Sequence, residues 1–166
     1  MMVGFNRRFT PISCLIKKEL DKLNIPIIMN FRINTGYIPS EHWVQNLDIG
    51  GGRIVGEICH FIDLMIYFSN AKPKGVFASS IKIDSNKWRK DDNLVINIEF
   101  ENGSLGNIVY TAMGNERMEK ERIEIFAGGN TYVIDDFKKG LFYNGCRLRR
   151  IKNKGKGHKE EETGLN

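Results

Sequence analysis

Residues 94–110 read LVINIEFENGSLGNIVY, and their pattern decides the fold class. Ile96, Ile98 and Phe100 alternate with Asn97 and Glu99, and the alternation resumes in SLGNIVY after Glu101-Asn102-Gly103. A period of two marks strands, and Asn and Gly accept the positive φ that a tight hairpin turn requires. The pattern recurs to either side. GVFASSIKI (75–83), RIEIF (122–126), TYVI (131–134) and a last hairpin of LFY and CRL within 141–148 read as strands, with Gly128-Gly129-Asn130 and Asn144-Gly145 as turns. Consecutive hairpins predict an antiparallel meander.

Upstream the period changes. Thr10-Pro11 offers an N-cap followed by proline at the first helical position, and Ile12, Leu15, Ile16, Leu20 and Leu23 fall on one helical face. Residues 11–23 are therefore expected to form an amphipathic helix that Asn24 closes. PIIMNFRI (26–33) reads as a strand buried over most of its length, and NTGYIPSEHWVQNLD as a long irregular segment of the kind that carries function. A second helix is expected from about Arg53 to Phe68, with Ile54, Ile58, Phe61, Ile62 and Met65 on its apolar face. Helices early and strands late give an α+β fold: an open-faced, mostly antiparallel β-sheet with helices on one face. Apolar and aromatic residues on the other face predict that a second subunit or domain covers it.

With 166 residues the chain is long enough for one core. The run RLRRIKNKGKGHK and the three glutamates after it hold seven of the 25 bases and three of the 20 acids, leaving residues 1–146 nearly neutral at 18 against 17. Without interleaved aromatics or a recognition motif, the basic run reads as a solvated end, which argues against nucleic acid. No apolar stretch is long enough for a transmembrane helix or a signal-peptide core, so no membrane role and a cytoplasmic location are expected. Cys14, Cys59 and Cys146 are widely spaced and odd in number, so neither a disulfide framework nor a metal site is indicated.

GGGRIVGEICHFID (50–63) carries the chemistry. Three glycines before a helix either cradle a phosphate or make a tight turn, and neither nucleotide fingerprint is met, so the tight turn stands first. Glu57 lies one helical turn from His60, where a carboxylate orients an imidazole and raises its basicity; histidine also supplies a base near neutrality. On the residues alone, a histidine at the border of the core, satisfied by Glu57 or a backbone carbonyl, is the plainer reading. Asp63 is expected to be a structural partner. Arg32 and Asn34 end a strand and Lys120 begins one; each reads first as a solvated surface residue. In the long loop, Trp43 is expected to anchor the chain on the core, with a cover over a cleft as the alternative for His42 and Trp43.

Taken in order, GFNRRFTP, FRINTGYIP with its following tryptophan, GGGRIVGEICHFIDL, the block from Asp91 to Tyr110, KERIEIF and IDDF resemble the C-terminal part of Gfo/Idh/MocA oxidoreductases. The likeness is strongest to sugar or sugar-nucleotide dehydrogenases. It implies a domain similar to the C-terminal domain of glyceraldehyde-3-phosphate dehydrogenase, which binds substrate and oligomerises through its open sheet face. It further implies that residues 1–9 are the last strand of an otherwise missing Rossmann domain, that 10–150 form the substrate and oligomerisation domain, and that 151–166 are a disordered, truncated tail. NAD or NADP would belong to the full-length parent and not to this fragment, which is expected to be inactive alone. By the same resemblance His60 and Glu57 are the catalytic candidates, Glu57 standing one residue after the position, here Gly56, where many members carry aspartate. Asn6 and Arg7 match positions beside the cofactor, and Arg32, Asn34 and Lys120 are the candidates for binding a sugar-type substrate. A noncatalytic binding or assembly module on the same fold is the alternative.

Overall fold

The computed structural model describes residues 4–152. Eight strands form one sheet: β1 (Ile28–Asn34), β2 (Pro73–Ser80), β3 (Asn93–Phe100), β4 (Leu105–Thr111), β5 (Glu121–Ala127), β6 (Asn130–Asp135), β7 (Lys139–Asn144) and β8 (Arg147–Lys152). Their spatial order is β2-β3-β4-β1-β5-β6-β7-β8. Every neighbouring pair is antiparallel except β1 and β4. The meander therefore exists in two pieces, with β1 inserted between β4 and β5. The chain has the α+β architecture expected, an open and mostly antiparallel sheet.

Helix α1 (Pro11–Leu23) starts where Thr10 accepts a hydrogen bond from the Ser13 N–H and ends at Asn24, whose φ of 47° gives the left-handed cap. The second helix differs from expectation. Ile54–Ile58 is a π-helical turn, with the Cys59 N–H reaching the Ile54 carbonyl five residues back, and the α-helix α2 spans Cys59–Ser69. The wider turn resets the phase of the apolar stripe. Ile54 is consequently exposed, and Ile58, Phe61, Leu64, Met65 and Phe68 form the buried face.

The core lies between the helices and one face of the sheet, where Met29, Phe31, Ile33, Ile108, Tyr110, Ile123 and Ile125 meet Ile12, Ile16, Phe61 and Met65. β1 is thus half-buried and not buried throughout: helices cover one face only, and Ile28 on the other is 55% exposed. Across that open face Leu105, Ile28 and Phe126 stand in register, all exposed. Beside them runs a polar row in which Asn107 donates to Asn97 at 2.9 Å and Asn30 to Glu124 at 3.3 Å.

The turn between β6 and β7 has no glycine, yet Asp136 and Phe137 both have positive φ (52° and 55°). Phe137 is fully buried in the core. Burial of Phe137 offsets the cost of the left-handed conformation, and the turn is also held by the Asp136 N–H donating to the Glu121 carbonyl at 2.8 Å and the Lys138 N–H to the Asp135 carbonyl at 3.0 Å.

Two boundaries differ from the sequence reading. Asn6–Phe9 is a 3-10 helical turn where a strand was expected, because Arg7 and Arg8 both bend back onto α2 and β5. The expected tail lies outside the described residues except Ile151 and Lys152, which close β8. Among the described residues no helix is long and apolar enough to cross a membrane.

Candidate functional site

The π-turn, the end of β4 and the start of β5 converge on one carboxylate. Glu57 Oε2 accepts from the Tyr110 hydroxyl and from Arg53 at 3.1 Å, while Oε1 accepts from Lys120 Nζ at 2.5 Å. Arg53 also donates to the Tyr110 oxygen at 2.6 Å. Arg53 is 2% exposed and Tyr110 fully buried, whereas the Lys120 side chain is 41% exposed. Lys120 is therefore where a buried network reaches solvent. Burial pushes the Glu57 carboxyl up, but the Lys120 ammonium, the Tyr110 hydroxyl and Arg53 more than offset this and hold it below the ordinary glutamate value. Burial and then the Glu57 charge push the Tyr110 phenol up, so it remains a donor at neutral pH.

His60 follows Glu57 by three residues and carries a buried Nδ1 that has no hydrogen-bond partner among the described residues. Phe5 packs edge-on against its ring at 5.4 Å. Burial, followed by the Arg7 guanidinium, pushes the imidazole below its ordinary value against the opposing pull of Glu57, Asp63 and Glu121. The ring is thus a neutral base at pH 7.

Beyond Lys120 opens a cleft of about 450 Å³, lined by Asn34, Thr35, Tyr37, Arg117, Lys120 and Asp136 among others. Asn34 is 5% exposed and donates to the Asn115 carbonyl at 2.8 Å. Arg32 does not join this group. It alternates with the buried Phe31 and Ile33, so it lies on the open sheet face beside Val109 and Arg122, where it donates to the Glu119 carbonyl at 2.7 Å.

Arg7, a candidate for the cofactor, is committed elsewhere. Both its Nε and Nη2 donate to Glu121, at 3.3 and 2.7 Å, and the residue is 5% exposed. Two of its five N–H donors are therefore spent on a buried carboxylate. Asn6 belongs to the same 3-10 turn. Asp63 is a structural partner, as its position in the helix suggested, accepting from Arg8 Nε at 2.8 Å.

The glycine run is a packed turn. Gly51 and Gly52 have positive φ, and a Cβ on Gly50 would stand 2.6 Å from the Trp43 carbonyl oxygen and 2.7 Å from the Val44 Cα. The close approach of the Trp43–Val44 backbone is what requires glycine at position 50. Trp43 does not anchor the loop; it is 60% exposed, and the buried Gln45 serves instead by donating to Asp92 at 2.7 Å.

Residues 26–132 match the family described as the GFO/IDH/MocA C-terminal domain. The chain belongs to the Gfo/Idh/MocA family. No curated protein matches it in sequence. Among solved structures, an oxidoreductase domain protein from Kribbella flavida is similar, with a TM-score of 0.76, 21% identity and coverage of 91% of this chain and 46% of that one. Levoglucosan dehydrogenase in complex with NADH and levoglucosan gives a TM-score of 0.72 at 20% identity, covering 92% and 47%. UDP-N-acetylglucosamine 3-dehydrogenase from Acidithiobacillus ferrooxidans gives 0.74 at 17%, covering 98% and 50%. At these identities the likeness speaks for the fold. The chain spans about half the length of each.

Within this Gfo/Idh/MocA domain the structure brings Glu57, His60 and Lys120 to one end of the sheet with Asn34 nearby. Arg53 and Tyr110 were not foreseen as site residues. The spacing of four between Arg53 and Glu57 was a usable signal; nothing in the sequence tied Tyr110 to either.

Proposed function

We propose that this domain is the substrate side of an NAD(P)-dependent oxidoreductase acting on a sugar or sugar nucleotide. The observation that carries the proposal is the Glu57 carboxylate: three donors hold it, and only Lys120 extends from it into a cleft. A hydroxyl-rich ligand there would meet an ammonium whose charge is fixed by Glu57; His60 does not line this cleft, and stands three residues after Glu57, so a ligand meets it only by extending past Lys120. His60 accepts the proton of the hydroxyl that is being oxidised, and Lys120 donates to a neighbouring oxygen to orient the ring. Glu57 is held anionic by its three donors, so it fixes Lys120 electrostatically and does not itself take the proton. Asn34 borders the ligand; Arg32, on the far face, belongs to the surface that packs against a second copy.

A nicotinamide, which would supply the hydride acceptor, has no part in these residue roles and would be held outside the described residues. Calorimetric titration of the 166-residue chain with NADH and with NADPH is therefore expected to give no saturable heat, and the chain alone should not oxidise a sugar with either cofactor. Saturable binding of a dinucleotide would overturn the assignment to the substrate side. The exposed row Leu105–Ile28–Phe126 supports self-association through the open sheet face; a monomer in sedimentation equilibrium at high concentration would remove that part.

A further inference from the structure

We propose that the N-terminal turn is a positioning device for His60, acting through Phe5, Arg7 and Arg8; this rests on the role of His60 as the base. Four contacts from this short stretch land on one side of α2. Phe5 lies edge-on to the His60 ring, centroids 5.4 Å apart. The Arg7 guanidinium stacks 4.3 Å over the Phe61 ring while its N–H groups pair with Glu121 of β5. Arg8 pairs with Asp63 through two hydrogen bonds, one of 2.8 Å, and lies 5.3 Å over the Tyr67 ring. Residues 60, 61, 63 and 67 of the helix are thus all gripped by one turn.

The helix is also packed on the core through the buried Phe61, Leu64, Met65 and Phe68. What the grip adds is local to His60. Phe5 covers the ring and keeps water from one of its edges. Arg7 places a positive charge nearby that disfavours the imidazolium. The charged groups around the ring are Glu57 and Asp63 on its own helix, Arg7 on the turn and Glu121 on β5. Lys120 neutralises Glu57 and Arg8 neutralises Asp63. Arg7, the one cation among those four, is partly offset by its partner Glu121 but lies with burial on the side that favours the neutral ring.

The test is the NMR titration of the His60 ring in the intact chain, assigned against a His60→Gln variant. Phe5→Ala should raise the His60 midpoint by on the order of half a pH unit toward the ordinary imidazole value, and Phe5→Tyr should restore it. Arg7→Met alone removes the cation paired with the buried Glu121, so the double variant Arg7→Met with Glu121→Leu is the companion; it should fold and also raise the midpoint. Both variants lose packing and hence some stability, but a role in packing alone would leave the midpoint of the folded chain unmoved. An unmoved midpoint in Phe5→Ala and in the double variant overturns the inference. Because the readout is the ring itself, it stands or falls separately from whether the cleft binds sugar.

Discussion

Glu57 and Glu121 are both acids paired with a cation, yet their surroundings differ completely. Glu121 is 1% exposed and Arg7 is 5% exposed, so that pair is shut away from solvent. Glu57 draws on two buried donors and on Lys120, whose side chain is 41% exposed and borders a cleft. A closed pair fixes structure, because neither partner is exposed to a ligand. An open pair presents a charge that is already oriented, and this is what a binding site requires.

The comparison breaks most readily at its closed end. Glu121→Ala leaves a buried guanidinium unpaired and should cost about 3–5 kcal/mol in urea unfolding, whereas the double change Arg7→Met with Glu121→Leu should recover most of it. Equal losses in the two variants would mean that the pair is not sealed. Glu57→Gln removes the charge that balances Arg53 and should cost about 2 kcal/mol. The pH dependence sharpens this. The folded Glu57 carboxyl lies below its ordinary value, so its contribution is present above the unfolded value of about 4.3 and is lost as pH falls through the lowered one. Stability of the Glu57→Gln chain should therefore fall less steeply below about pH 4 than that of the parent. Smallest of all is the effect of Lys120→Ala on stability, below about 1 kcal/mol, since the ion pair is partly in solvent. The same substitution should abolish sugar binding in the cleft. A Lys120→Ala chain as unstable as Glu121→Ala would erase the distinction between the two pairs.

Much of the fold was legible because strands, hairpin glycines and helix caps are local signals. Ile96, Ile98 and Phe100 alternate in the structure as they do in the sequence, and Thr10 and Asn24 cap α1 where expected. The placement of β1 between β4 and β5 was not legible, since period two says that a segment is a strand and not which strand it joins. The π-turn was missed because the pattern of apolar residues fits an uninterrupted helix and an i to i+5 register leaves no separate mark. Asp136 and Phe137 adopt positive φ for a tertiary reason, the burial of Phe137, so no turn residue announced them. In the site, Glu57 and His60 are near neighbours in sequence and could be paired by spacing. Tyr110 is 53 residues from Glu57 and Lys120 is 63, and only the folded sheet brings them to one carboxylate.

The most direct test of the central claim is to titrate the isotopically labelled chain with levoglucosan and with a UDP-N-acetylhexosamine while following its amide and side-chain NMR signals. Saturable changes centred on Lys120, Asn34 and His60, and absent in Lys120→Ala, are the predicted result. Changes confined to the open sheet face around Ile28, or no saturation with either probe well above the usual upper KM of about 1 mM, would contradict it.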